Sequence, residues 1–206
     1  MAVDIARMRE RITALLNETV ALRDSARGDE REFLGYYIEH LEFMLKAISL
    51  EEGINISWLR SVGNLPRIYL DDGRFEALPT FEPMMQLIRD LGFYSDLAYP
   101  KNILEQERER MPDNGIIAQM LVVINNALGH FTPDWHIDPT IVRQAYIELS
   151  MLFSSLPVEE GCAVEEVRKS VENYLRWQNT VVTPIVAEWM VSAEELLNIL
   201  ESEDNT

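Results

Sequence analysis

Three neutral polar side chains share one face of an otherwise apolar segment. Gln119, Asn126 and His130 lie within about 40° of one another if residues 115–131 form a helix. The segment contains no charged residue, so we expect this face to be sheltered from water. Buried amide and imidazole groups need hydrogen-bond partners. The stripe therefore predicts a structural polar network or the wall of a ligand pocket, with plain solvent exposure as the third alternative.

The loop that follows is a second concentration of chemically useful side chains. Residues 130–138 contain two of the three histidines together with a tryptophan and two aspartates. Two of these residues could close a pocket beside the stripe, because hydrogen-bonding groups on a water-poor wall suit a specific small-molecule site. The candidate pocket residues are Gln119, Asn126, His130, Trp135 and His136.

The same loop could also supply metal ligands, since three histidines and a carboxylate from separate elements can hold an ion in a helical bundle. The spacing does not favour this use. No His-x-x-x-His, Glu-x-x-His or His-Glu-x-x-His pattern places two ligands on one helix face. Asp138 followed by Pro139 instead predicts the N-cap and first residue of a helix. We therefore predict neither a metal site nor a cofactor.

Patterns typical of nucleophilic or nucleotide-dependent catalysis are absent from the sequence. There is no Gly-x-Ser-x-Gly, no P-loop and no Gly-x-Gly-x-x-Gly. Cys162 is the single cysteine, so it can form no internal disulfide, and its polar loop offers no basic neighbour to activate it. An unpaired thiol and the lack of an apolar segment after Met1 predict a cytoplasmic location. These features favour a protein that is not an enzyme.

The net charge of the chain indicates which classes of partner it could bind. Thirty-five acidic residues against eighteen basic ones give a net charge of −17, which opposes binding to nucleic acid or to an anionic membrane. The longest apolar run, Ile116 to Leu128, is too short to cross a membrane. The acidity could serve solubility alone, could mimic nucleic acid, or could form a docking surface for a basic protein. Residues 157–206 are the most acidic part, with eleven acidic and three basic residues.

The elements that must position these residues are predicted to be helices. Apolar or small side chains recur at alternating steps of three and four along residues 3–26 and again along 30–52. A short turn at Gly28 predicts that the two segments form an antiparallel hairpin within residues 1–53. The seam of helix 3–26 could instead serve homo-oligomerisation.

The second helix carries more than its core stripe. Tyr36, His40, Phe43 and Ala47 form a second, weakly polar stripe beside the first. A helix with two such stripes is expected to be covered on two flanks. We therefore predict a further element packed beside this helix.

Similar helical patterns continue along the rest of the chain. Together they predict that residues 1–206 form an all-α, single-domain multi-helix bundle. It has about seven to eight helices around a central uncharged helix at 115–131. An Asp-Gly pair predicts a small β-hairpin at 67–78, within an irregular insertion at 61–80. Further helices are predicted at 82–91, 102–111, 138–155, 163–179 and 193–201, before a frayed acidic tail at 202–206. No linker composition or internal repeat divides the chain.

Acidity without a catalytic motif predicts a protein–protein interaction module of inhibitor, immunity or adaptor type. Its partner would be a protein with a basic surface, and the irregular segment at 61–80 could add specificity. The alternative is a helical-bundle small-molecule-binding protein or enzyme, with its polar pocket on the central helix.

Overall fold

The computed structural model describes residues 3–62, 76–158 and 161–176. Within these ranges the regular secondary structure is helical apart from one small antiparallel sheet, so the predicted all-α multi-helix fold is confirmed. The helices are α1 (Ile5–Ser25), α2 (Asp29–Ala47), α3 (Ile56–Val62), α4 (Phe81–Arg110), α5 (Gly115–Gly129), α6 (Pro139–Ser154) and α7 (163–176). The strands are β1 (Ile48–Ser49) and β2 (Gly53–Ile54).

The predicted N-terminal helical hairpin is formed by α1 and α2. Asp4 caps α1 by accepting a hydrogen bond from the backbone N–H of Arg7 at 3.1 Å. The turn to α2 passes through Gly28 at φ 58°, a conformation that glycine adopts without steric cost. The heptad positions Met8 and Ile12 are buried where α1 packs against α2. The seam is therefore used inside the chain, and association through helix 3–26 would have to use its outer face.

The second helix ends at Ala47, earlier than the predicted residue 52. The Ser49 hydroxyl accepts a hydrogen bond from the backbone N–H of Glu52 at 3.1 Å, which offers the chain a turn in place of another helical step. Gly53 follows at φ 80° and begins β2. The small hairpin therefore lies at 48–54, and the hairpin predicted at 67–78 falls mostly outside the described residues.

The helices predicted at 82–91 and 102–111 are one continuous helix, α4, with Pro100 in its interior. A proline at such a position removes a backbone hydrogen bond and costs about 3 kcal/mol. Pro100 is buried together with Leu97 and Leu104. Burial of large apolar side chains contributes about 1.5–3 kcal/mol each, so packing keeps the helix intact across the proline.

The chain divides into two compact units, Met1–Ala145 and Tyr146–Thr206. The first unit holds α1 to α5 and all five candidate pocket residues. In the second unit the rings of Tyr146 and Tyr174 lie 4.4 Å apart. The end of the helix predicted at 163–179, the helix at 193–201 and the tail at 202–206 fall outside the described residues. No helix in the described ranges has both the length and the apolar character needed to cross a membrane.

Candidate functional site

Gln119 and Asn126 share one face of α5 and His130 lies at its C-terminal end, but that face is exposed. Gln119, Asn126 and His130 are all solvent-exposed, and Val122 between them is 58% exposed. α5 packs mainly against α4 and uses only its other face for the core. The expectation of a sheltered, fully wrapped helix is wrong for this reason. The buried residues of α5 are Ile117, Met120, Leu121, Ile124 and Ala127.

Among the described residues, no hydrogen-bonded polar network is formed at these positions. Within the described part of the chain, the side chains of Gln119, Asn126 and His130 make no hydrogen bond. His130 serves as the C-cap of α5, where its backbone N–H donates to the carbonyl of Ala127 at 3.0 Å. An exposed amide satisfies its donors and acceptors with water. The geometry therefore supports neither a buried network nor an enclosing pocket wall at these three residues.

Trp135, predicted to close a pocket, is instead a fully buried anchor. Its indole Nε1 donates to the backbone carbonyl of Asp4 at 3.0 Å, and its ring lies 4.7 Å from that of Tyr94. The backbone at Trp135 has φ 64°, a left-handed conformation that costs a non-glycine residue about 1–3 kcal/mol. These contacts hold the conformation and fasten the loop to the start of α1.

His136, the last candidate, contacts a buried carboxylate that sequence analysis missed. The side chain of Asp90 on α4 is only 3% exposed. Its Oδ2 atom lies 3.0 Å from Nδ1 of His136 and accepts a hydrogen bond from Nη1 of Arg11 at 2.7 Å. Its Oδ1 atom accepts from Nε2 of Gln86 at 2.8 Å. The carboxylate thus joins α1, α4 and the loop, and we call these four residues the Asp90 cluster.

In the Asp90 cluster, the carboxylate of Asp90 holds the imidazole ring of His136 in one orientation. Because an ionised carboxylate only accepts hydrogen bonds, the contact with Asp90 assigns a proton to Nδ1 of His136, whose side chain is 48% exposed. Nucleophilic catalysis would need a hydroxyl or thiol bonded to that ring. No Ser, Thr or Cys side chain in the described ranges makes such a bond. An ion pair between Arg7 and Asp134 ties the same loop to α1, so the cluster acts as a structural tie.

Metal ligation also lacks a geometric basis in this part of the chain. No three His, Cys, Asp or Glu side chains of the described residues are grouped so that they could hold an ion. Asp138 is occupied as the predicted N-cap, since its Oδ1 accepts from the backbone N–H of Thr140 at 2.8 Å. That hydrogen bond is the main reason why the pKa of Asp138 lies below its ordinary value.

The second stripe of α2 forms an exposed aromatic surface with α3. Phe43 stacks on Trp58 of α3, with ring centroids 5.5 Å apart and planes 21° apart. Trp58 is itself 46% exposed, and Tyr36, near the other end of the stripe, is 48% exposed. The expected cover on the second flank therefore exists only near the C-terminal end of α2. We call Tyr36, Phe43 and Trp58 the aromatic face.

Carboxylates border the aromatic face. Glu32 and Glu39 are exposed on α2, and the hydroxyl of Tyr36 donates to Glu32 at 3.4 Å. His40 lies half-buried between the rings of the stripe. Burial lowers the pKa of His40 despite the opposing effect of Glu39, so its ring is neutral at pH 7. The histidine therefore does not cancel the negative charge beside the aromatic rings.

No protein family, curated protein or solved structure matches the chain. The aromatic face and the exposed face of α5 are surfaces at which this protein could bind a partner.

Proposed function

We propose that this protein is an acidic, cytoplasmic interaction module that binds a basic, partly apolar segment of a partner protein. The observation that carries the proposal is the aromatic face beside Glu32 and Glu39. Large exposed aromatic side chains are common anchors of protein interfaces. Here Tyr36 and Trp58 are both about half exposed, and Trp58 stacks on Phe43.

The two chemical components of this surface suit one kind of ligand. Apolar side chains of the partner would pack on the rings, while its Lys or Arg residues would pair with the carboxylates. An Arg side chain could also lie over an aromatic ring. The net charge of −17 would attract a basic partner over a distance, and salt would screen that attraction.

The aromatic face is supported by contacts that limit its motion. Asn55 accepts a hydrogen bond from the backbone N–H of Trp58 at 3.1 Å and so fixes the start of α3. Leu59 of the same helix is fully buried. The guanidinium of Arg60 lies 3.7 Å from the ring centre of Tyr99 on α4. A preorganised surface loses little conformational entropy when it binds, so these contacts favour recognition.

The test is a titration with a dye-labelled amphipathic helical peptide of leucine and lysine. We expect micromolar affinity that falls steeply as salt rises from about 50 to 500 mM. Tyr36→Ala should weaken binding about tenfold, as expected for loss of an aromatic anchor. The double variant Glu32→Gln with Glu39→Gln should weaken it severalfold.

The matched control is the double variant Glu10→Gln with Glu18→Gln. Both residues are exposed on α1, so the net charge changes equally at a different place. This control should bind within about twofold of the parent. Equal losses in the two double variants would show that the peptide responds to total charge and not to the aromatic face. Tight binding of a leucine and glutamate peptide would contradict the proposed partner chemistry.

A further inference from the structure

The second stripe of α2 has the spacing of a surface that packs against another helix. Tyr36, His40, Phe43 and Ala47 follow one another at steps of four, three and four residues, as core positions do in a coiled coil. Tyr36 is exposed, and His40 and Phe43 are half-buried. Trp58 stacks on Phe43 and extends the apolar surface beside the C-terminal half of the stripe. A helix of the partner therefore finds here a row of side chains at its own periodicity.

Charged residues border this stripe at intervals of seven. Glu32, Glu39 and Lys46 lie along one edge of α2, about 40–80° around the helix from Tyr36. All three residues are exposed, and none forms an ion pair with another described residue. In paired helices, charged residues at such flanking positions form interhelical salt bridges that set partner choice and orientation. These three charges are available for that use.

The sign of the charge changes along this edge. Two carboxylates are followed, seven residues later, by the ammonium group of Lys46. A seven-residue step advances about 10.5 Å along any α-helix, so a partner helix faces all three charges when its own charged residues repeat at the same interval. The complementary partner has basic residues opposite Glu32 and Glu39 and an acidic residue opposite Lys46.

The helix dipole selects the direction of this partner. Acidic residues stabilise the N-terminal end of a helix and basic residues stabilise its C-terminal end. A partner with the complementary charges satisfies this rule only when its N-terminal end lies beside Lys46, which makes it antiparallel to α2. Resting on the proposed function, we propose that the partner segment is an amphipathic helix that binds antiparallel to α2. Read from its N-terminus, it carries an acidic, a basic and a basic residue at seven-residue intervals.

The test compares three helical peptides that share one leucine seam and have blocked ends, which removes their terminal charges. At the three edge positions the matched peptide carries Glu, Lys and Lys, the reversed peptide carries Lys, Lys and Glu, and the all-basic peptide carries three Lys. Binding to the full chain is measured in about 0.3 M salt, where attraction to the net charge is screened and close ion pairs persist. We expect the matched peptide to bind about threefold tighter than either of the others.

Lys46→Glu separates pairing at this edge from the helicity and total charge of the peptides. In this variant the all-basic peptide should bind about threefold tighter than the matched peptide, since all three edge positions are now carboxylates. Arg31→Glu is the matched control, because Arg31 is exposed on α2 about 140° around the helix from Tyr36. It changes the net charge equally and should leave the order of the three peptides as in the parent.

The outcomes distinguish this inference from the proposed function. If none of the three peptides binds, both are overturned. If all three bind and the all-basic peptide is the tightest in the parent, a basic partner stands and the ordered charge pattern is overturned. Equal binding of the matched and reversed peptides overturns the antiparallel arrangement. Equal changes in Lys46→Glu and Arg31→Glu assign the preference to total charge and overturn the role of Lys46.

Discussion

The exposed stripe on α5 and the Asp90 cluster differ in the solvent exposure of their polar side chains. Gln119 and Asn126 are neutral and lie in an apolar segment, yet they are exposed. Asp90 carries a formal charge and is 3% exposed, because Arg11, Gln86 and His136 supply it with donors from three elements. Burial of a polar group thus depends on the partners that other elements bring to it.

The largest expected change in stability comes from truncating a side chain on the buried face of α5, compared with the same change on its exposed face. Ile124→Ala should lower the free energy of unfolding by about 4 kcal/mol, because Ile124 is fully buried and its truncation leaves a cavity. Val122→Ala, two residues earlier on the exposed face, should change it by less than about 0.5 kcal/mol. Denaturant unfolding monitored by circular dichroism measures both values. Similar losses in the two variants would mean that α5 is covered on both faces.

Alanine substitutions in the two polar regions compare directly how much each region contributes to stability. Asp90→Ala should destabilise the fold by about 2–4 kcal/mol, because Arg11 and His136 lose their shared acceptor. Both partners are partly exposed and can regain water, which keeps the loss below that of a fully buried pair. Asn126→Ala should change stability by less than about 0.5 kcal/mol. Denaturant unfolding in which Asn126→Ala matched Asp90→Ala would reject the contrast.

Asp96 is a second carboxylate on α4, and replacing it is expected to change stability in the opposite direction to replacing Asp90. Burial raises the pKa of Asp96 to about 6, although the nearby Arg60 guanidinium acts to lower it. The folded state therefore favours the protonated acid more than the unfolded state does. Stability from this group is fully present below about pH 4 and is lost as pH rises through about 6.

Asp96→Asn removes this dependence because the amide is neutral at every pH. The variant should be about 2 kcal/mol more stable than the parent at pH 7, and the difference should vanish near pH 4. Paired unfolding curves at pH 4, 5, 6 and 7 measure it. A variant that is less stable at pH 7, with the parent's pH dependence unchanged, would show that ionised Asp96 is stabilised by its surroundings.

Periodicity was sufficient to predict most of the fold. The alternating three- and four-residue spacing located α1 and α2, and the seam positions Met8 and Ile12 are buried as expected. Helical spacing places Leu121 and Ile124 opposite Gln119 and Asn126 on α5, and they are 3% and 0% exposed. The N-cap at Asp138 was likewise predicted from local chemistry. These features depend on residues close together in the chain, where spacing alone defines a face or a cap.

The candidate site depended on contacts that spacing cannot show. Asp90 belongs to no motif, and its importance arises because Arg11 and His136 reach it from distant parts of the chain. The break expected before residue 102 was wrong, since burial around Pro100 keeps α4 continuous.

The sequence by itself determined which side chains lie together on each helix, because helical geometry maps residue number onto direction. Only the tertiary structure decided which faces other elements cover. One face of α5 packs in the core while the face with Gln119 and Asn126 stays in water. α3 covers the second stripe of α2 at Phe43 and leaves Tyr36 exposed. Coverage is set by contacts between segments far apart in the chain, and local periodicity carries no information about them.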